Sequence, residues 1–221
     1  MAVYNEVSRF SKQEEAANAI SHFMGAALSV AALSLMVIQS ARYGNAWHIV
    51  SSAIFGVSMI MLYLSSGMTH YLQQGPYKNL FFSLDKIGIF FLIAGTYTPF
   101  ALVTLKGAVG WTIFGIEWFG AIAGSVMILL KPVNFEKGVN TFSVVIYAVM
   151  GWLIIFAIGP VMRAMPTTGW VLIILGGIFY TIGIFFYKKC NFKHHHLVWH
   201  LLVMAGTTAH FFAIYFFVIP R

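Results

Sequence analysis

The chain has 221 residues, 60% hydrophobic and only 9% charged, against about 25% charged in an ordinary soluble domain. Too few charges exist to cover the surface of a soluble fold of this size. That excludes a soluble globular enzyme, a disordered tail and a nucleic-acid binder, despite a net charge of +7.

A helix needs about 20 mostly apolar residues to cross the hydrocarbon core. Seven such stretches follow one another: 16–41, 43–77, 87–105, 107–130, 138–162, 164–187 and 194–220. The fourth is interrupted once, by Glu117. Before the first, Ser11-Lys12-Gln13-Glu14 has the Ser-x-x-Glu form of a capping box and predicts a helix start near Ser11. The mixed polar residues ahead of it, without a small-residue cleavage site, do not read as a cleavable signal peptide. The connections are short and polar, leaving little chain for a soluble domain, and the alternating pattern of a membrane barrel is absent. The expectation is one all-α integral-membrane domain over 1–221. It is a seven-transmembrane-helix bundle with a short cytoplasmic N-terminal segment of about 1–15. The single cysteine, Cys190, allows no internal disulfide and leaves the redox compartment unread.

Orientation follows from the basic residues. Nine lie on one side (Arg9, Lys12, Lys78, Lys86, Lys131, Lys137, Lys188, Lys189, Lys193) and four on the other (Arg42, Lys106, Arg163, Arg221). The positive-inside rule then predicts a cytoplasmic N-terminus and an external C-terminus.

Polar residues inside spans are costly and usually functional. Here they share one depth. Glu15, Asn18 and His22 fall at the cytoplasmic end of span 1, Ser66 and His70 at that of span 2, Asp85 at the start of span 3, and His196 and His200 at the start of span 7. His196 and His200 are i and i+4, so they share one helix face. One helix can thus give two imidazoles to a single Zn²⁺, although Leu197 stands where a zinc protease has its Glu. The competing reading is a pair of interfacial histidines beside Lys193, His194 and His195. His70 is the natural third ligand, and three protein ligands plus a water is the catalytic form of a zinc site. Zinc brings the pKa of such a water to about 7. Asp85 would orient or deprotonate the water, and Ser66 would hydrogen-bond the substrate oxyanion or a ligand. Imidazoles also suit other transition metals.

Other residues carry blander expectations. His210 lies about 15 Å beyond His200 along the helix, too far to share an ion. It reads as a satisfied interior histidine, with a polar relay as the alternative. Glu117, remote from the histidines, snorkels outward or sits neutralised, with a proton or ion path as the alternative reading. Trp47 and His48 read as an interfacial anchor, and His194 and His195 as solvated loop residues. Gly95, Pro99 and Pro160 are candidate helix bends, and Gly176-Gly177 a close helix approach.

At these residues the chain resembles the hemolysin III family. The resemblance rests on Glu15-x-x-Asn18-x-x-x-His22, Ser66-x-x-x-His70, Leu84-Asp85 and His196-x-x-x-His200 with the later His210. The run His196-Leu197-Val198-Trp199-His200-Leu201-Leu202-Val203-Met204-Ala205-Gly206 carries it furthest. That family belongs with the progestin and adipoQ receptors and, more distantly, the alkaline ceramidases. The resemblance implies a Zn²⁺ near the cytoplasmic face held by His70, His196 and His200, with Ser66 and Asp85 in catalytic roles. It also implies that Glu15, Asn18 and His22 support the site or line its entrance. The implied function is zinc-dependent hydrolysis of a lipid amide or ester, with membrane lipids as surroundings and substrate and a role in membrane lipid homeostasis. The short form is similar to the bacterial branch, which predicts a bacterial plasma-membrane location. The alternative is a non-enzymatic membrane regulator, sensor or pore-forming haemolysin with a structural zinc.

Overall fold

The computed structural model describes residues 10–131 and 141–221. The expectations for Arg9, Lys137, the 132–134 connection and the start of the fifth span at 138 lie outside the described residues. Within them, seven helical segments are long and apolar enough to cross a membrane. They comprise α1 (Lys12–Tyr43), α2 (Ala46–Tyr71), α3 (Pro76–Pro99), α4 (Gly107–Leu130), α5 (Thr141–Gly151), α6 (Ile158–Ala164), α7 (Thr167–Lys189) and α8 (His195–Phe217). A π-helical turn, Phe100–Leu105, extends α3, and a 3₁₀ turn, Leu153–Ala157, joins α5 to α6 within the fifth span.

Local chemistry sets these ends. Ser11 and Glu14 form the expected reciprocal capping box at the start of α1. Asn45 caps α2 by accepting the Trp47 N–H at 3.0 Å. Pro76 opens α3 at a position where its missing N–H is not needed. Pro99 cannot donate to the helix ladder. The turn beyond it widens, and the Lys106 N–H reaches back five residues to the Ala101 carbonyl at 3.0 Å.

The third span departs most from expectation. It starts at Pro76 rather than 87, so Asp85 lies within α3 instead of opening it. The physical reason is charge pairing. Lys86 pairs with Asp85 at 2.7 Å and Lys78 with Glu15 at 2.8 Å, which lets a helix carry these charges while all are largely buried.

Two spans, α1 and α4, show outer faces opposite in character to those of a soluble helix. On α1, Asn18, Ser29 and Ser40 are buried while Ile20, Leu28, Leu35 and Ile38 are exposed. On α4, Phe119 is 75% and Leu130 78% exposed. An outer face this apolar is a lipid face. Apolar burial offers little drive between helices in lipid, so close approach and polar contacts hold them. Cβ atoms at Gly56, Gly88 and Gly124 would meet Leu33, Leu62 and Phe90 at 2.5, 3.0 and 2.3 Å. The helices form a ring: α1 packs on α2, α2 on α3, α3 on α4, α7 on α8, and α8 closes back on α1. The seam between α5 and α7 is sparse, and a cavity opens beside it.

Candidate metal centre

Four helices build the site. The i, i+3, i+7 spacing on α1 aims Glu15, Asn18 and His22 at α2 and α8. The i, i+4 spacings of Ser66 and His70 on α2, and of His196 and His200 on α8, turn those pairs to meet them. α3 adds Lys78, Asp85 and Lys86. All of these except Glu15, which is half-buried, are buried.

His70, His196 and His200 converge. Each offers one ring nitrogen, and these atoms all lie within 4.8 Å of one another. Ring centroids are 4.7 Å apart for His196 and His200, 5.0 Å for His70 and His196, and 5.1 Å for His70 and His200. Two of the rings are held from behind. The His70 Nδ1–H donates to the Glu15 carboxylate at 2.5 Å, and Lys78 Nζ donates to the other carboxylate oxygen at 2.8 Å. The His200 Nδ1–H faces the Asn18 carbonyl at 3.2 Å and Ser21 Oγ at 3.1 Å. The Ser21 hydroxyl itself donates to that carbonyl at 2.8 Å. Both rings therefore have Nδ1 committed, so Nε2 is the nitrogen each could offer to a metal ion. A histidine fixed by a carboxylate or a carbonyl is the usual supporting arrangement of a metal ligand. The donor set fits a divalent ion of the zinc class, with Zn–N of about 2.0–2.1 Å.

The other expected residues sort around this cluster. His22 does not join it. Its ring stacks on His200 with centroids 3.5 Å apart and 10° between planes, and neither of its nitrogens has a hydrogen-bond partner. Asn18 acts through its backbone carbonyl, while its buried side-chain amide has no partner. Asp85 lies outside the histidine group and pairs with Lys86. It lines the same cavity as Ser66, His22, His196 and His200.

Sequence reasoning missed several contributors. Ser21 is one, and its neighbour His22 drew attention instead. Phe10 is another: buried, its ring lies 4.9 Å from His196 and 6.0 Å from His70. Lys78 and Lys86 had been counted only for orientation. Two readings need correction. His194 lies in the turn before α8 and His195 opens that helix, and both are half-buried rather than solvated. His194, in a left-handed backbone conformation at φ 65°, donates its N–H to the Glu14 carboxylate at 3.0 Å. Glu117 does not snorkel: it is fully buried, and neither carboxylate oxygen has a hydrogen-bond partner.

The cavity has a volume of about 120 Å³. The histidine end carries Ser66 and Asp85. Its walls mix aliphatic side chains such as Leu62, Ile93 and Val203 with aromatic ones such as Phe100, Tyr180 and Trp199, and His210 also lines it.

The chain matches the Haemolysin-III related family over residues 10–211. It is 43% identical over 208 residues to the "Hemolysin-3 homolog" of Bacillus subtilis (strain 168), covering 94% of this chain and 96% of that protein. It is 40% identical over 208 residues to "Hemolysin-3" of Bacillus cereus, with 94% and 93% covered. A distant likeness, 25% over 209 residues, reaches the human "Monocyte to macrophage differentiation factor", with 91% and 83% covered. The chain belongs to the Haemolysin-III related family, and it is an integral membrane protein of the plasma membrane.

Proposed function

We propose that this protein is a zinc-dependent hydrolase of lipid amide or ester bonds, with its reacting centre at the cytoplasmic level of the bilayer. One observation carries the reading. Three buried imidazoles have convergent nitrogens, two of them are braced from behind, and two, His196 and His200, line a largely apolar cavity. A bound ion would polarise the scissile carbonyl and acidify a water.

The chain's own residues supply the rest. Glu15 and Lys78 keep His70 in the Nδ1–H tautomer, and Asn18 and Ser21 do the same for His200. Asp85, beside Lys86, accepts the proton of the attacking water and returns it to the leaving amine or alcohol. The Ser66 hydroxyl donates to the carbonyl oxygen as charge develops there. The aliphatic and aromatic walls hold the acyl chain and exclude bulk water, which strengthens the interactions at the histidines. Membrane lipids are then both surroundings and substrate.

A second reading is supported by the same braces. α1, α2 and α8 meet at the histidines, so an ion there would also staple three helices in a non-enzymatic regulator or sensor. The relatives' name, hemolysin, suggests a pore, but the charged residues that line the cavity, Asp85 and Lys86, are paired with each other rather than spread along its length, which argues against a wide water path.

Purified protein reconstituted in nanodiscs with ceramide and phospholipid separates these readings by mass spectrometry of released fatty acid. The hydrolase reading predicts release that falls at least a hundredfold in Asp85→Asn and in His196→Ala. Release unchanged in both variants, or none from the zinc-loaded wild type, contradicts it.

A further inference from the structure

We propose that Phe10 is the plug of the metal route: an ion reaches and leaves the three histidines past its ring, which sets the rate of exchange. The proposal rests on the reading of His70, His196 and His200 as a metal centre. Phe10 precedes α1 and lies outside any helix, yet it is buried, 5% exposed. The three residues after it, Ser11, Lys12 and Gln13, are polar and exposed. Phe10 thus brings an aromatic ring inward to the histidines from the exposed start of α1.

The ring stands against the cluster. Its centroid is 4.9 Å from that of His196, 5.9 Å from His195 and 6.0 Å from His70. It shares a small apolar cluster with Phe82 of α3 and Val144 of α5, on which Ile184 and Tyr187 of α7 pack. Val144, Ile184, Tyr187 and His196 also line the cavity. Phe10 therefore closes the histidine end of the cavity at the end of the bundle where α1 begins.

A short tether holds it there. Ser11, next in the chain, donates its N–H and its hydroxyl to Glu14 Oε2 at 3.0 and 2.8 Å. The other oxygen of that carboxylate accepts the His194 N–H at 3.0 Å, from the turn before α8. Glu14 so ties the root of the plug to the helix that carries two of the three histidines. A phenyl ring neither ligates a metal nor hydrogen-bonds, so moving it breaks packing and leaves the imidazoles in place.

The other approach suits an ion poorly. The cavity is largely apolar, and a charge is costly to carry through such a lining. The side of Phe10 is different. The first turn of α1 carries the half-buried carboxylates of Glu14 and Glu15. Glu14 is met by a hydroxyl and backbone N–H groups, which leave its negative charge to attract a cation.

The test follows zinc exchange in full-length protein in nanodiscs, by stopped flow with a fluorescent chelator. A plug slows both directions alike, and exposing a buried phenyl ring corresponds to about ten- to a hundredfold in an opening equilibrium. Phe10→Ala is therefore expected to load and release zinc faster than the wild type by about that factor, with Kd changed by less than about threefold. Phe10→Leu, a milder cut that carries the test should Phe10→Ala fail to fold, is expected to exchange at an intermediate rate with the same Kd. Exchange rates equal to the wild type in both variants overturn the plug and leave the metal centre standing. Faster release matched by an equally weaker Kd also overturns it, since Phe10 would then only support the ligands. A wild type that binds no zinc overturns the metal centre and the plug with it.

Discussion

Two regions of the bundle bury carboxylates, and they treat them in opposite ways. Where α1, α2, α3 and α8 meet, every charged group has a neighbour: Glu15 with His70 and Lys78, Asp85 with Lys86. In α4, Glu117 is equally buried and its carboxylate has no hydrogen-bond partner. A charge removed from water is costly unless it is paired and hydrogen-bonded. The braced cluster is therefore an arrangement that an ion would complete, whereas Glu117 is a local burden that the rest of the fold carries. Buried polarity alone does not mark a site; buried polarity held in one geometry does.

The largest effect that sharpens this comparison is stabilisation by metal. With free zinc a thousandfold above its Kd, linkage gives about 4.1 kcal/mol of stability. Thermal unfolding in detergent, with zinc and then with chelator, is expected to show that shift in the wild type and none of it in His200→Ala. A shift retained in His200→Ala would detach the ion from the histidines.

Glu15→Gln comes next. It keeps the shape and removes the charge behind His70. Loss of such a supporting group is expected to weaken zinc affinity about 10–100-fold, measured by competition with a chromogenic chelator. Unchanged affinity would mean that Glu15 serves only to pair Lys78.

On the other side, Glu117→Met removes an unpartnered buried carboxylate at similar volume. It is expected to raise stability by about 1–3 kcal/mol and to leave zinc binding unchanged. A loss of stability would break the comparison, because it would reveal a partner for Glu117.

Packing gives the smallest contrast. Gly124→Ala, whose Cβ would press on the Phe90 ring at 2.3 Å, should destabilise by about 1–3 kcal/mol. Gly115→Ala, with nothing within 4 Å, should change stability by under about 1 kcal/mol in the favourable direction. Unfolding of both variants in the same detergent checks the pair.

Spans and helix faces were legible because they depend on composition and on the 3.6-residue period alone. The convergence of His70, His196 and His200 was legible because depth and i, i+4 spacing together restrict where side chains can meet. The start of α3 was not, since Asp85 and Lys86 read as span-ending charges until their pairing is known. Ser21 and Phe10 escaped for the same reason: a serine in a span and an aromatic before it are ordinary until a histidine is found beside them. The left-handed turn at His194 depends on Glu14, 180 residues away in the chain, and no local pattern announces it. His210 was expected to be satisfied, and only one of its nitrogens is.

The most direct test of the metal centre is an elemental count on detergent-purified protein: wild type beside His70→Ala and His196→Ala, each loaded with zinc and freed of excess. The account predicts about one zinc per wild-type chain and none in either variant. A wild type that takes up no zinc, or variants that keep it, would contradict a centre built from these three histidines.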